Sequence, residues 1–212
     1  VDSAVDYEAN LDKEFVYEGY NENTCLVELD ESPPYEIDEG ALNEVLKIAL
    51  LLSCEIYPVT QIMRKTVING SNTSGFQRTV LIGHSGKLDT SFGEVGIEGV
   101  FLEEESARII LKDEKKAVYR LDRLGIPLIE IATAPDMRNP EQIKEVALKI
   151  GEVVRACRVK RGIGTIRQDI NISIKGHDKV EIKGFQDPGI MIKTVQIEVE
   201  RQIGELKKGK KI

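Results

Sequence analysis

Gly162–Ile174 reads G-I-G-T-I-R-Q-D-I-N-I-S-I, and its period of two predicts a β-strand with alternating faces. Thr165, Arg167, Asp169, Asn171 and Ser173 fall on one face, and Ile166, Gln168, Ile170, Ile172 and Ile174 on the other. Two readings stay open on the polar face. It can be the solvated side of an edge strand. It can also be the floor of a cleft, because a guanidinium, a carboxylate and an amide in adjacent rows suit phosphate or a hard cation.

Helical patterns flank this stretch. Asn139-Pro140-Glu141-Gln142 offers a cap, a proline at the first helical position and a glutamine three residues after the cap. Ile143, Val146, Ala147, Ile150, Val153, Val154 and Cys157 then recur on one stripe, to about Arg158. After the strand, Gly176-His177-Asp178 turns into Lys179–Lys183, and Pro188 opens a last helix with Ile192, Val195, Val199 and Ile203 inward. Nearer the start, Asp38 caps a helix over about Glu39–Cys54, with Ala41, Val45, Ile48, Ala49 and Leu52 as its core stripe and Leu50-Leu51 widening it. Glu14–Tyr20 and Thr24–Leu29 read as an acidic hairpin, and Thr79–Gly83, Gly96–Phe101, Ala107–Lys112 and Ile126–Ile131 as strands.

Composition narrows the function. At 31% charged and 41% apolar, the 212 residues can bury a core and stay soluble. No apolar run approaches the length of a membrane span. Cys25, Cys54 and Cys157 are scattered and odd in number, which supports neither a zinc site nor a disulfide framework and fits a reducing cytoplasm. Of the net charge of −7, residues 1–40 carry −12 and the remainder +5. A broad nucleic-acid surface is excluded, although contact with a short RNA end is compatible. The Val1 start and the Lys-rich end suggest a piece of a longer polypeptide.

Three segments carry candidate chemistry. Asn69–Arg78, N-G-S-N-T-S-G-F-Q-R, is a polar glycine-containing loop with Arg64 and Lys65 before it. It is either a plain turn or a phosphate cradle of backbone N–H groups and hydroxyls from Ser71, Asn72, Thr73 and Ser74. Glu103-Glu104-Glu105 leave an apolar strand, as surface decoration or as ligands for a hard cation. Glu130 interrupts an apolar strand, where an ionised carboxylate needs an ion-pair partner such as Arg123 or Arg167, or a bound cation. His84 has no evident partner and is not read as a ligand.

R-L-G-I-P-L-I-E-I (123–131), Pro135-Asp136, R-Q-D-I-N-I-S (167–173) and M-R-K-T-V-I-N-G-S-N-T-S-G-F-Q-R-T (63–79) together resemble the B/E family of tRNA-dependent amidotransferases, on the archaeal E branch rather than the B branch. The resemblance implies an α+β fold, a mainly antiparallel sheet flanked by helices in a glutamine-synthetase-like catalytic cradle, over a single domain, 1–212, with the acidic hairpin segment 1–36 packed on it. It implies an ATP- and Mg²⁺-dependent carbon–nitrogen ligase of protein biosynthesis. The γ-carboxylate of Glu-tRNA(Gln) would be phosphorylated and then amidated with ammonia from an asparaginase-like glutaminase partner of the D type. Carried onto this sequence, Glu104, Glu130 and Asp169 would be the catalytic and metal-binding acids, with Glu103 in reserve. Arg64, Lys65 and Arg167 would hold phosphate oxygens, and Ser71–Ser74 would line the nucleotide or acceptor end. Phe101 stands where the B branch has His, and Gly162-Ile163 where it has paired Glu. With the family's first strand also lacking, this piece alone is expected to be inactive. The competing expectation is a non-catalytic module docking a tRNA end or a partner protein. A metal-dependent hydrolase is disfavoured, since no His/Asp/Glu cluster has ligand spacing.

Overall fold

The computed structural model describes residues 5–7, 10–162 and 164–208. Its elements are β1 (Glu14–Glu18), α1 (Glu39–Leu51), β2 (Glu55–Ile56), β3 (Met63–Thr66), β4 (Phe76–Thr90), β5 (Gly93–Glu104), β6 (Arg108–Lys112), β7 (Lys116–Arg120), β8 (Pro127–Thr133), α2 (Pro140–Ala156), β9 (Gln168–Ile172), β10 (Val180–Phe185) and α3 (Met191–Lys207). The fold is α+β with mainly antiparallel sheets, as expected.

The principal sheet runs β2-β4-β5-β8, all antiparallel, with β3 also on β4. Alternation in β4 and β5 sends Val80, Ile82, Val100 and Leu102 to one face, where Val45, Ile48, Ala49 and Leu52 of the α1 segment meet them. All four α1 residues are fully buried, each worth roughly 1.5–3 kcal/mol of apolar transfer. The Asp38 carboxylate accepts from Ala41 N at 2.7 Å and Asn139 Oδ1 from Gln142 N at 2.9 Å, so both expected caps start their helices. Leu50 and Leu51 do not widen the α1 stripe. They point outward, 65% and 56% exposed, because the sheet covers only one side of the helix.

α2 joins two cores. Val146 and Ile150 pack toward the principal sheet, while Ile143 and Ala147 pack with Ile170, Ile172, Phe185, Met191 and Val195 of the β9–β10 hairpin and α3. β9 is shorter than the sequence suggests. Residues 162 and 164–167 form turns and coil, and Ile163 lies outside the described residues, as do Gly209–Ile212. The alternation holds where the strand forms, with Ile170 and Ile172 inward and Asp169 and Asn171 outward. On α3 the buried row is Met191, Val195, Glu198 and Gln202, and Ile203 is 40% exposed. Gln202 replaces it because its amide accepts from Ile174 N and donates to Ile172 O and Glu198 Oε1.

The acidic hairpin does not form. β1 instead pairs in parallel with β7, and residues 26–31 fold into turns. The sequence ends explain the partner: Glu14 meets Lys116 at 3.8 Å and Glu18 meets Arg120 at 3.0 Å, around an apolar middle. Cys54 and Cys157 are buried, Cys25 is exposed, and all three are free thiols.

Candidate functional site

The face of the principal sheet opposite α1 carries the chemistry. Strand register places Thr79 beside Glu103, Leu81 beside Phe101, Phe101 beside Glu130, and Lys65 beside Gln77. Because side chains at i and i+2 share a face, Lys65, Gln77, Thr79, Phe101, Glu103 and Glu130 all rise from this side.

Glu103 is the buried member, 6% exposed, and its Oε1 accepts from Thr79 Oγ1 at 3.0 Å. Glu130 sits within hydrogen-bond contact of Glu103. Although Glu130 is an exposed residue, partial desolvation of its carboxyl raises its pKa, the Glu103 charge raises it further, and Asp169 adds to the rise. Lys65 opposes this and is the nearest compensating cation. The expected arginine partners of Glu130 are engaged elsewhere, Arg123 with Glu105 at 2.7 Å and Arg167 with Asp169 at 4.0 Å. Phe101 lays its ring over Gly99, where a Cβ would come within 2.6 Å of the ring. Its register partner across the strands is Glu130, so an aromatic side chain stands beside the acids.

Asp169 approaches from β9. Its Oδ1 accepts from Gly184 N at 2.7 Å, and its charge is felt at Glu130. Among the described residues, no three His, Cys, Asp or Glu side chains are arranged to hold a metal ion. The close carboxylate pair is Glu103–Glu130, with Asp169 further off.

Glu104 does not join them. It points to the helix side of the sheet and forms an ion pair with Arg78, whose guanidinium also donates to Tyr35 O. The reason is phase: Leu102 faces the core, so Glu104 shares its side and Glu103 takes the open one. Thr79 and Gln77 were missed in the sequence, although the same alternation from Val80 places them.

The phosphate-cradle expectation also changes. Asn72 is buried and accepts from Ser106 Oγ at 2.8 Å, and Ser71 Oγ leans on it. Thr73 Oγ1 donates to Glu28 O at 2.8 Å and Ser74 Oγ to Phe76 O at 3.1 Å. The loop's carbonyls take Tyr17 OH and Tyr119 OH at Gly70 and Asn69, both at 2.7 Å. Its polar groups therefore fasten the β1–β7 edge to the sheet, and each of these hydroxyls has a partner within the fold. Arg64 stacks its guanidinium over Phe76 at 4.9 Å, so Lys65 alone of the loop's cations faces the acids.

A buried carboxylate held by a threonine, a second acid in contact with it and a lysine opposite are a set suited to a hard cation and phosphate oxygens. In comparison with known proteins, residues 8–212 match the family described as the GatB/GatE catalytic domain. The chain belongs to that family. It is 53% identical over 208 residues to the E-type subunit of the glutamyl-tRNA(Gln) amidotransferase of Methanocaldococcus jannaschii, covering 98% of this chain and 33% of the relative. The E-type subunits from Thermococcus sibiricus and Pyrobaculum islandicum are 52% and 50% identical over the same length. The chain thus spans about a third of the length of the curated relatives it matches. No described helix is long and apolar enough to cross a membrane.

Proposed function

We propose that this chain is the catalytic portion of a cytoplasmic tRNA-dependent amidotransferase that converts Glu-tRNA(Gln) to Gln-tRNA(Gln). The observation that carries the reading is the Glu103–Glu130 pair with Lys65 on the open sheet face. The mixed fold supports a glutamine-synthetase-like cradle, and the family membership supports the reaction class.

In this reading the γ-carboxylate of the tRNA-borne glutamate attacks the γ-phosphorus of ATP and releases ADP. Ammonia from an asparaginase-like glutaminase partner then adds to the acyl carbon and expels phosphate. Phosphoryl transfer asks a protein for positioning and charge more than for covalent chemistry. The donor set fits Mg²⁺: two adjacent carboxylates face one lysine, and burial first, then the Glu103 charge, raises the Glu130 pKa. Glu103 and Glu130 would hold the ion, with Asp169 as a third acid. When bound, Mg²⁺ neutralises phosphate charge. Thr79 fixes the Glu103 carboxylate and Lys65 attracts phosphate oxygens. Mg²⁺ takes one or two carboxylates and completes its shell with water and substrate phosphates. Residues 1–212, about a third of the length of the relatives, are expected to be inactive alone.

The test is glutamine formation on tRNA by the full-length protein with its glutaminase partner. Glu103→Gln and Asp169→Asn should each lose at least a hundredfold in turnover while remaining folded. Full activity in Glu103→Gln removes the carboxylate pair from the mechanism. The competing reading, a tRNA-end or partner docking module, predicts that ATP and Mg²⁺ leave thermal stability unchanged.

A further inference from the structure

The segment joining α2 to β9 is the most cationic exposed stretch of the described chain. Between Glu152 and Asp169 there is no carboxylate, while Arg155, Arg158, Lys160, Arg161 and Arg167 are all exposed. Part of this charge has a local use. Arg155 packs on Gly151, and Arg161 donates to Arg155 O at 2.8 Å, which suits the negative end of α2.

Arg158 and Lys160 have no such duty, and Arg167 meets only the Asp169 carboxylate. Arg158 contributes its backbone N–H to Glu44 Oε2 at 2.9 Å, and its charge is felt at Glu44, but Glu44 is already in an ion pair with Lys47. No ion pair engages Arg158 or Lys160 among the described residues, and Arg167 reaches Asp169 only at 4.0 Å. Gly162 and Gly164 adopt φ of +126° and +83°, so the backbone turns sharply before entering β9. The segment therefore runs from open surface directly to Asp169, whose charge reaches Glu130.

We infer that Arg158–Arg167 is a strap that binds backbone phosphates of the RNA whose end enters the site. The inference rests on the amidotransferase reading above. An RNA chain carrying an aminoacyl group to Glu130 must bring a high density of negative charge past the carboxylates Glu103, Glu130 and Asp169. A carboxylate-free cationic track leading to Asp169 offsets that repulsion, and it does so without reading bases. The acidic first forty residues cannot serve.

The experiment uses the full-length protein with its glutaminase partner and an unacylated tRNA(Gln) transcript, with affinity measured from 50 to 200 mM salt. Each lost phosphate contact lowers the log–log salt slope by about 0.9 on duplex RNA-like backbone or about 0.7 on a single strand. Arg158→Ala/Lys160→Ala should therefore lower it by roughly 1.4–1.8 and weaken binding near 0.1 M salt about 25- to 60-fold. It should raise the KM for Glu-tRNA(Gln) and leave kcat unchanged. Lys112→Ala/Lys115→Ala, which removes equal charge from the exposed β6–β7 end, should keep the wild-type slope. An unchanged slope in the strap variant, with wild-type binding intact, overturns the strap and spares the amidotransferase reading. Equal losses in both variants also overturn it, by reducing the effect to net charge. A wild-type complex that binds no transcript at any salt overturns both.

Discussion

Replacing Glu103 with Gln should stabilise the metal-free protein while destroying its response to Mg²⁺. The Glu103 side chain is buried, accepts from Thr79 Oγ1 at 3.0 Å and touches the Glu130 carboxyl. An amide keeps the shape, leaves an oxygen for Thr79 and turns an N–H donor toward Glu130. A contact between two acids becomes a hydrogen bond to a charged group, which contributes roughly 1.5–3 kcal/mol. Solvent screening at Glu130 trims the net gain to about 1–2 kcal/mol. Each kcal/mol moves the Tm of a domain of about 150–250 residues by about 2–4 °C and that of a longer chain by less. Glu103→Gln should therefore raise the melting temperature of the full-length protein in chelator at pH 7 by at most roughly 8 °C. Mg²⁺ at a hundred times its Kd adds about 2.7 kcal/mol to a protein that binds it. Wild type should therefore rise in Mg²⁺ while the variant stays in place. Thermal unfolding of the full-length protein, with and without Mg²⁺, reads both effects. A Glu103→Gln protein that melts below wild type in chelator refutes the reasoning, since Glu103 would then be a structural acceptor.

Three further outcomes follow from the same geometry. Glu104→Gln weakens the Arg78 pair at the helix-side edge, so it should cost about 1–3 kcal/mol in urea unfolding and keep the full Mg²⁺ response. Gly70→Ala places a Cβ 2.4 Å from the Phe15 ring at φ +81°, costing at least about 1 kcal/mol and speeding amide exchange in β1 before the rest of the sheet. The pH dependence should split by residue. Arg201 and Gln202 hold the Glu198 pKa down to about 2, so its stabilisation is present above 4.5 and lost as pH falls toward 2. Glu130, raised above 4.5, does the reverse: its contribution is present below that value and lost as pH climbs through the folded pKa. Glu198→Gln should flatten the acid limb of a urea-midpoint profile, and Glu103→Gln the limb above 4.5.

The helices were legible because caps and apolar spacing are local. Asp38 and Asn139 start α1 and α2 where the sequence places them. The placement of the candidate acids on the sheet was not legible, because it depends on phase. A one-residue shift exchanges the faces of a strand, and Leu102 is the residue that shows Glu103, not Glu104, looking away from the core. The loop misled because Ser71, Asn72, Thr73 and Ser74 have the composition of a phosphate cradle, while their partners, Ser106, Glu28 and Phe76, lie across the fold or on the loop's own far side. The β1–β7 pair was hidden for a related reason. A parallel partner a hundred residues away leaves no turn signal, and only the matched acidic and basic strand ends hint at it.

The position of Asp169 relative to the carboxylate pair depends on α2 rather than on any strand contact. Among the described strands β9 pairs with β10 alone, and Glu103 and Glu130 belong to a different sheet. What ties the two is a helix whose neighbouring residues enter separate cores, Val146 in one and Ala147 in the other. Gln168 Nε2 adds a direct tether to Ala147 O at 2.8 Å, one residue before Asp169. A close-packed helix transmits displacement because interiors compress little. The separation between the acids is thus set by the packing of α2 between the two cores. The same arrangement lets Asp169 sit too far off to complete a three-ligand site and yet close enough to raise the Glu130 pKa.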